Sequence, residues 1–211
     1  TWIFKKHPTD NSILLQGNYK GIFVLNKINN NWRIRNKLKG FDISSRFIEF
    51  VNDSLILVSH EYKGVFSLKT DAELTIVKEK GLEESVKKGN NASMASFDSE
   101  IFYNNPDGVF RYDKQDFKFF KDLALSNEIE VSNYLSGKMI NDDNGNFWMF
   151  SNNKIHYLFK DIFSDEFKFK SFYFEKNTAN NVLGFEHVAK HKGSKYLLGS
   201  NTGYLLVDLG K

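Results

Sequence analysis

At 211 residues, with 41% hydrophobic and 26% charged side chains, the chain can bury a core and lacks a disordered composition. Its 29 basic and 26 acidic residues leave a net charge of +3, too balanced for an electrostatic nucleic-acid surface. The absence of cysteine excludes a disulfide scaffold, a thiolate metal site and a cysteine nucleophile, and no run approaches the roughly 18 apolar residues of a membrane helix.

Residues 1–6 (TWIFKK) predict a short strand. Residues 12–26 (SILLQGNYKGIFVLN) predict a hairpin turning at Asn18-Tyr19-Lys20, and 32–35 a further strand. The polar crossing that follows contains Gly40-Phe41-Asp42 and Ser44-Ser45-Arg46. A strand at 46–51 then leads to the hairpin 54–69 (SLILVSHEYKGVFSLK), which turns at His60-Glu61-Tyr62-Lys63, and to a strand at 74–78. Residues 82–88 predict either one helical turn or another polar crossing. The third set is 93–97, the hairpin 99–113 (SEIFYNNPDGVFRYD) with its turn at Asn105-Pro106-Asp107, and 117–120. The fourth is 137–141, the hairpin 145–159 (GNFWMFSNNKIHYLF) turning at Asn152-Asn153, and 167–174. The fifth is 186–189 and the hairpin 194–208 (SKYLLGSNTGYLLVD), turning at Ser200-Asn201-Thr202.

The residues opening the second hairpin strand are Gly21, Gly64, Gly108, Lys154 and Gly203, at spacings of 43, 44, 46 and 49. Glycine at four of five suits a turn that needs positive φ. No helical periodicity competes, and 21 Phe and 9 Tyr favour pleated surfaces. A period of about 45 residues with four strands per unit predicts an all-β fold, a β-propeller of four-stranded antiparallel blades. The blades are expected at about 1–39, 40–80, 81–124, 125–176 and 177–211. A solenoid or a β-sandwich is the alternative, though a sandwich gives no reason for the period. The fifth unit lacks an outer strand and the chain does not open on Met, so the sequence is expected to be part of a larger propeller.

Propeller geometry gathers the turns between the second and third strands, and the crossings between blades, on one face. The ligand-binding candidates on that face are Tyr19, Ser45, Arg46, His60, Glu61, Tyr62, Lys63 and Asp107. Aromatic platforms with polar groups suit a glycan or another small ligand. Each candidate also has a structural reading. Asn105, Asp107, Asn152 and Asn201 suit tight turns, Tyr19 and Tyr62 can pack on a neighbouring blade, and Arg46 can serve a salt bridge. Trp148 is expected in the core and Trp32 on an outer edge.

No catalytic pattern stands out, since GxSxG, HExxH and P-loop motifs are all missing. His187 and His191 share a predicted strand and its turn, a poor arrangement for one metal. Residues 141–146 (NDDNGN) are similar to a calcium loop but lack the glutamate at its twelfth position, and a hairpin turn explains them. Glu83-Glu84 reads as a solvated surface. No metal and no cofactor is expected.

Asp142-Asp143-Asn144-Gly145-Asn146-Phe147-Trp148 resembles the two-component-regulator propeller repeat, D-x-x-G-x-[LI]-W, with Lys154 where the repeat has a second Gly. The other four units keep the hairpin without this signature. GNYKGIFVLN, GFDISSR, SHEYKGVFSL and NPDGVFRYD, in that order, resemble the sensor region of Bacteroidetes regulators with a propeller and a triple-tyrosine domain. This resemblance implies a periplasmic, membrane-anchored, non-catalytic sensor whose output is a LuxR-type helix-turn-helix or a histidine kinase outside these residues. It implies a glycan or other small ligand, a homodimer formed through the parent protein, no nucleic acid bound by this region and no membrane insertion by it. The alternatives are a protein–protein scaffold and a propeller polysaccharide lyase or hydrolase. The enzyme would have to work with His60, Glu61, Tyr62 and Asp107.

Overall fold

Antiparallel hairpins of alternating apolar residues, joined in series, make up almost the whole chain. A computed structural model describes residues 1–142, 145–152, 154–161, 163, 166–173, 183–200 and 203–210. The first sheet holds β1 (Ile3–Lys6), β2 (Ile13–Asn18), β3 (Gly21–Ile28) and β4 (Asn31–Lys37), and the second β5 (Phe47–Phe50), β6 (Leu55–His60), β7 (Gly64–Thr70) and β8 (Val77–Leu82). The third holds β9 (Ser93–Phe97), β10 (Glu100–Asn105), β11 (Gly108–Asp113) and β12 (Lys118–Lys121). The fourth holds β13 (Tyr134–Asn141), β14 (Phe147–Ser151), β15 (Lys154–Lys160) and β16 (Phe167–Tyr173). Three strands are described in the fifth: β17 (Val188–Lys192), β18 (Lys195–Ser200) and β19 (Gly203–Asp208). Every sheet runs in sequence order, so the chain is an all-β propeller of five antiparallel blades.

The hairpin register repeats. Asn18 faces Gly21, His60 faces Gly64, Asn105 faces Gly108, Ser151 faces Lys154 and Ser200 faces Gly203. The four glycines stand at φ between 100° and 151°. At Gly21 a Cβ would also lie 2.3 Å from the Phe41 carbonyl oxygen, so two constraints select glycine there. Lys154 takes the position differently. Its buried stem carries the ammonium to the Glu130 carboxylate, 4.7 Å from the Tyr173 ring centre.

The residues fall into two compact units, 1–89 with 112–120 and 90–111 with 121–211. The core of the first is Leu15, Ile22, Val24, Leu38, Phe41, Ile48, Ile56, Val58, Leu68 and Leu74. In the second, Phe97, Phe102, Val109, Met139, Phe147, Met149 and Leu158 form one cluster, and Trp148, Phe150, Ile155, Val188, Tyr196 and Leu198 another. Burial falls from second strand to fourth: β14 is buried throughout, whereas β4 and β8 are mostly exposed. A strand covered on both faces reads as a continuous apolar run, and an outer strand alternates at most.

One expectation needs correction, one open alternative is decided, and one helix appears that the sequence did not announce. The strand expected at 74–78 starts at Val77 and continues to Leu82, because the Asp71 carboxylate takes the backbone N–H of Thr75 and Ile76 in a turn. Leu74, at φ 54°, points its side chain into the core from that turn. Residues 83–89, after β8, form a crossing and no helical turn. The helix stands elsewhere, as α1 (Leu123–Glu128). Asp122 caps it by accepting the Leu125 N–H at 2.9 Å, and Leu125 and Ile129 enter the core. Six residues with a Ser-Asn centre are too few to show a helical period. Phe174, expected in the fourth outer strand, lies outside the described residues.

The D-x-x-G-x-x-W segment has a physical explanation. Asp142 Oδ1 accepts the Asn146 backbone N–H at 3.0 Å, closing the hairpin turn between β13 and β14. Its Oδ2 accepts the Asn146 amide at 2.7 Å and the Trp148 indole N–H at 3.0 Å. Asn146 in turn bonds the Tyr157 and Tyr196 hydroxyls, each at 2.8 Å. The aspartate is therefore a hydrogen-bond hub that lets an indole be fully buried with its donor satisfied. Asp143 and Asn144 of the same segment lie outside the described residues.

Candidate functional site

The turn after β6 is one residue longer than the turn after β2, and the extra length carries the charged and aromatic side chains outward. Together with the segment before β1 and the crossing before β5, it encloses a recess of about 260 Å³. Its lining is Trp2, Tyr19, Ser44, Arg46, His60, Glu61 and Tyr62. Five of the eight residues expected from sequence thus meet at one place.

Arg46 Nη1 donates to Glu61 Oε2 at 2.6 Å, so the salt-bridge reading of Arg46 is correct. The same guanidinium lies 5.5 Å from the Trp2 ring centre and 5.4 Å from that of Phe47. Trp2 is fixed by its indole N–H to Ser44 Oγ at 3.1 Å and meets Tyr19 edge-on at 4.6 Å. Tyr19 and Tyr62 are 71% and 56% exposed, which answers the packing alternative: both rings face solvent.

His60 works as part of the backbone. Its Nδ1 accepts the N–H of Tyr62 at 3.1 Å and of Lys63 at 3.3 Å. A nitrogen that accepts two hydrogen bonds carries no proton, so the neutral ring holds its hydrogen on Nε2. Burial, and then the nearby Lys63 ammonium, push the imidazole below its ordinary value and reinforce that state. Asn18 and Asn105 perform the same capping one blade earlier and one later, accepting from Lys20 N and Asp107 N at 2.8 and 2.9 Å.

The remaining candidates do not line this recess. Ser45 is fully buried, with its hydroxyl donating to the Ile43 carbonyl at 2.9 Å and its N–H to the Asn18 carbonyl at 2.9 Å; Ser44 takes its place on the surface. Lys63 is exposed beside the turn. Asp107 is exposed in the unit containing residues 90–111, in the turn that Asn105 caps. Asn153, Asn201 and Thr202 lie outside the described residues. Trp148 is core and Trp32 an outer-strand residue, as expected. Trp2 was missed by the sequence reading; the only signal was an aromatic residue immediately before the first strand. Among the described residues no group of three His, Asp or Glu side chains could hold a metal, and no helix is long and apolar enough to cross a membrane.

No protein-family model matches the chain, and no curated protein matches it. Among solved structures it is similar to the extracellular domain of the hybrid two component system BT4673 from B. thetaiotaomicron. That match has a TM-score of 0.65 and 12% identity, over 97% of this chain and 28% of that one. The chain shares that propeller fold. The extracellular domain of the hybrid two component system BT3049 from the same organism matches at TM-score 0.53 and 11% identity, over 98% of this chain and 27% of that one. An auxiliary nutrient binding protein from Bacteroides thetaiotaomicron matches at TM-score 0.53 and 12% identity, over 98% of this chain and 56% of that one. The chain thus spans little more than a quarter of the two sensor domains.

Proposed function

We propose that this chain is a non-catalytic ligand-binding segment of an extracytoplasmic sensor propeller, and that the recess between Trp2 and Tyr62 receives the ligand. The observation that carries the reading is the pre-assembled Arg46–Glu61 pair set among three aromatic rings. A rigid, partly desolvated polar pair between aromatic walls suits a hydroxyl-rich ligand, with rings stacking on its apolar face and Arg46, Glu61 and His60 bonding its hydroxyls. Fold likeness to extracellular two-component sensor domains and to a nutrient-binding protein supports the assignment.

In this reading the parent protein is membrane-anchored in the periplasm, its output is transcriptional or a kinase, and dimerisation belongs to the parent. The segment itself binds no nucleic acid and enters no membrane. Ligand acts by favouring one arrangement of blades or subunits over another, since only differential affinity shifts an equilibrium. The capped His60, with Nδ1 committed to the turn, is poorly placed as a general base, which favours binding over turnover.

Screening the 211-residue chain against a glycan panel by thermal shift, with product analysis on the same samples, tests the proposal. A ligand that raises the melting temperature without being consumed, and no longer does so in Arg46→Ala/His60→Ala, is the expected result. Product release, or a shift unchanged in the double variant, overturns it.

A further inference from the structure

A second, larger recess of about 540 Å³ opens on the face of the second blade formed by β6, β7 and β8. Its walls include Leu55, Lys69, Glu79, Lys80, Glu83, Tyr112 and Phe117. All belong to the same compact unit, and the volume falls in the range of small-molecule sites.

Charge on this wall is unevenly satisfied. Lys69 Nζ and Glu79 Oε1 pair at 3.2 Å and cancel. Lys80 also lines the recess, with its side chain exposed to solvent. Glu83 accepts only the Ser85 hydroxyl, at 3.2 Å, and no cation lies within ion-pair distance of it among the described residues. Burial holds its carboxyl above the ordinary value; burial, and then the Glu83 charge, push the Tyr112 hydroxyl up to about 12. A half-desolvated carboxylate without a counter-ion is costly to keep in an unliganded fold.

The same recess is lined by a ring held at a conformational cost. Phe117 sits at φ 53°, where a side chain with a Cβ is disfavoured by about 1 kcal/mol, and leaves 54% of itself exposed. The turn leading to it is tied by Asp113 Oδ1, which accepts the N–H of Gln115 at 2.7 Å and of Asp116 at 3.1 Å. An exposed phenyl ring and a carboxylate without an ion-pair partner, lining one recess, form the complement of an organic cation.

We propose that this recess binds a small organic cation, an alkyl-ammonium group paired to Glu83 with its carbon chain against Phe117 and Leu55. The site is independent of the Trp2–Tyr62 recess.

Calorimetry on the 211-residue chain with hexylammonium, hexanol and hexanoate tests it. Hexylammonium is expected to bind at least tenfold more tightly than hexanol, and hexanoate not at all. Glu83→Gln should bring hexylammonium down to the level of hexanol. Phe117→Gly, which relaxes the backbone at φ 53°, should weaken hexylammonium at least threefold while leaving the melting temperature unchanged or raised. Arg46→Ala/His60→Ala should leave hexylammonium binding intact. Equal binding of hexanol, indifference to Glu83→Gln or Phe117→Gly, or loss of binding in the Arg46/His60 variant overturns the proposal.

Discussion

Arg46, just before β5, bonds Glu61, in the turn after the adjacent strand β6, at 2.6 Å. Their side chains are 13% and 24% exposed, so the pair is only partly screened by solvent. Arg46→Ala removes the bond and the contact with Trp2 and leaves Glu61 half-buried without its partner. The expected loss is about 1–3 kcal/mol by chemical denaturation. Glu61→Gln retains an acceptor for the guanidinium and should cost less than Arg46→Ala. The reverse ranking would contradict the assigned geometry.

Trp148→Phe keeps most of the buried ring but deletes the donor to Asp142. A loss of about 1–2 kcal/mol is expected, against about 3–5 kcal/mol for Trp148→Ala, which also opens a cavity. Equilibrium unfolding of both variants gives the comparison.

His156 is a buried neutral imidazole between two hydroxyls. Ser151 Oγ donates to the Ile129 carbonyl at 3.1 Å, so it accepts from His156 Nε2 at 2.7 Å, and Ser171 Oγ lies 2.9 Å from Nδ1. Burial, and then the Lys154 ammonium, push the ring down to about 4. Because the folded value lies below the unfolded value of about 6.5, this contribution is complete above pH 6.5 and lost as pH falls towards 4. It amounts to roughly 3 kcal/mol. His60, also lowered, acts in the same direction. Unfolding free energies between pH 7 and 4.5 should therefore slope less steeply in His156→Leu than in the parent chain, although the variant is less stable at pH 7.

Gly21 and Gly145 both have positive φ, 109° and 75°, but only Gly21 is crowded. A Cβ at Gly145 would meet nothing within 4 Å. Gly145→Ala should cost about 1 kcal/mol and Gly21→Ala more than about 2 kcal/mol, since the latter must also displace the Phe41 carbonyl. Melting temperatures of the two variants decide the point.

Hairpins were the legible part of the fold, because a positive-φ glycine at a constant register is written directly in the residue type. Turns made by side chains were not. Asp71 moved an outer strand by three residues through bonds that any of several aspartates in the chain could have made. Asp122 started a helix too short for its period to be seen. At the recess, alternation of strand and turn placed Arg46, His60, Glu61 and both tyrosines correctly. The choice between Ser44 and Ser45 depends on a single peptide's orientation, and Trp2 enters through packing between segments 42 residues apart. Neither leaves a local pattern.

Asn18, His60 and Asn105 occupy one repeat position and grip the same kind of turn, with a left-handed glycine closing the far end. Each turn is thereby clamped at both ends, whichever residues stand between the clamps. They form an interchangeable cassette: Tyr-Lys, Glu-Tyr-Lys and Pro-Asp fill it in successive blades. A scaffold built this way can change what it recognises by exchanging two or three exposed side chains, without renegotiating the sheets beneath them.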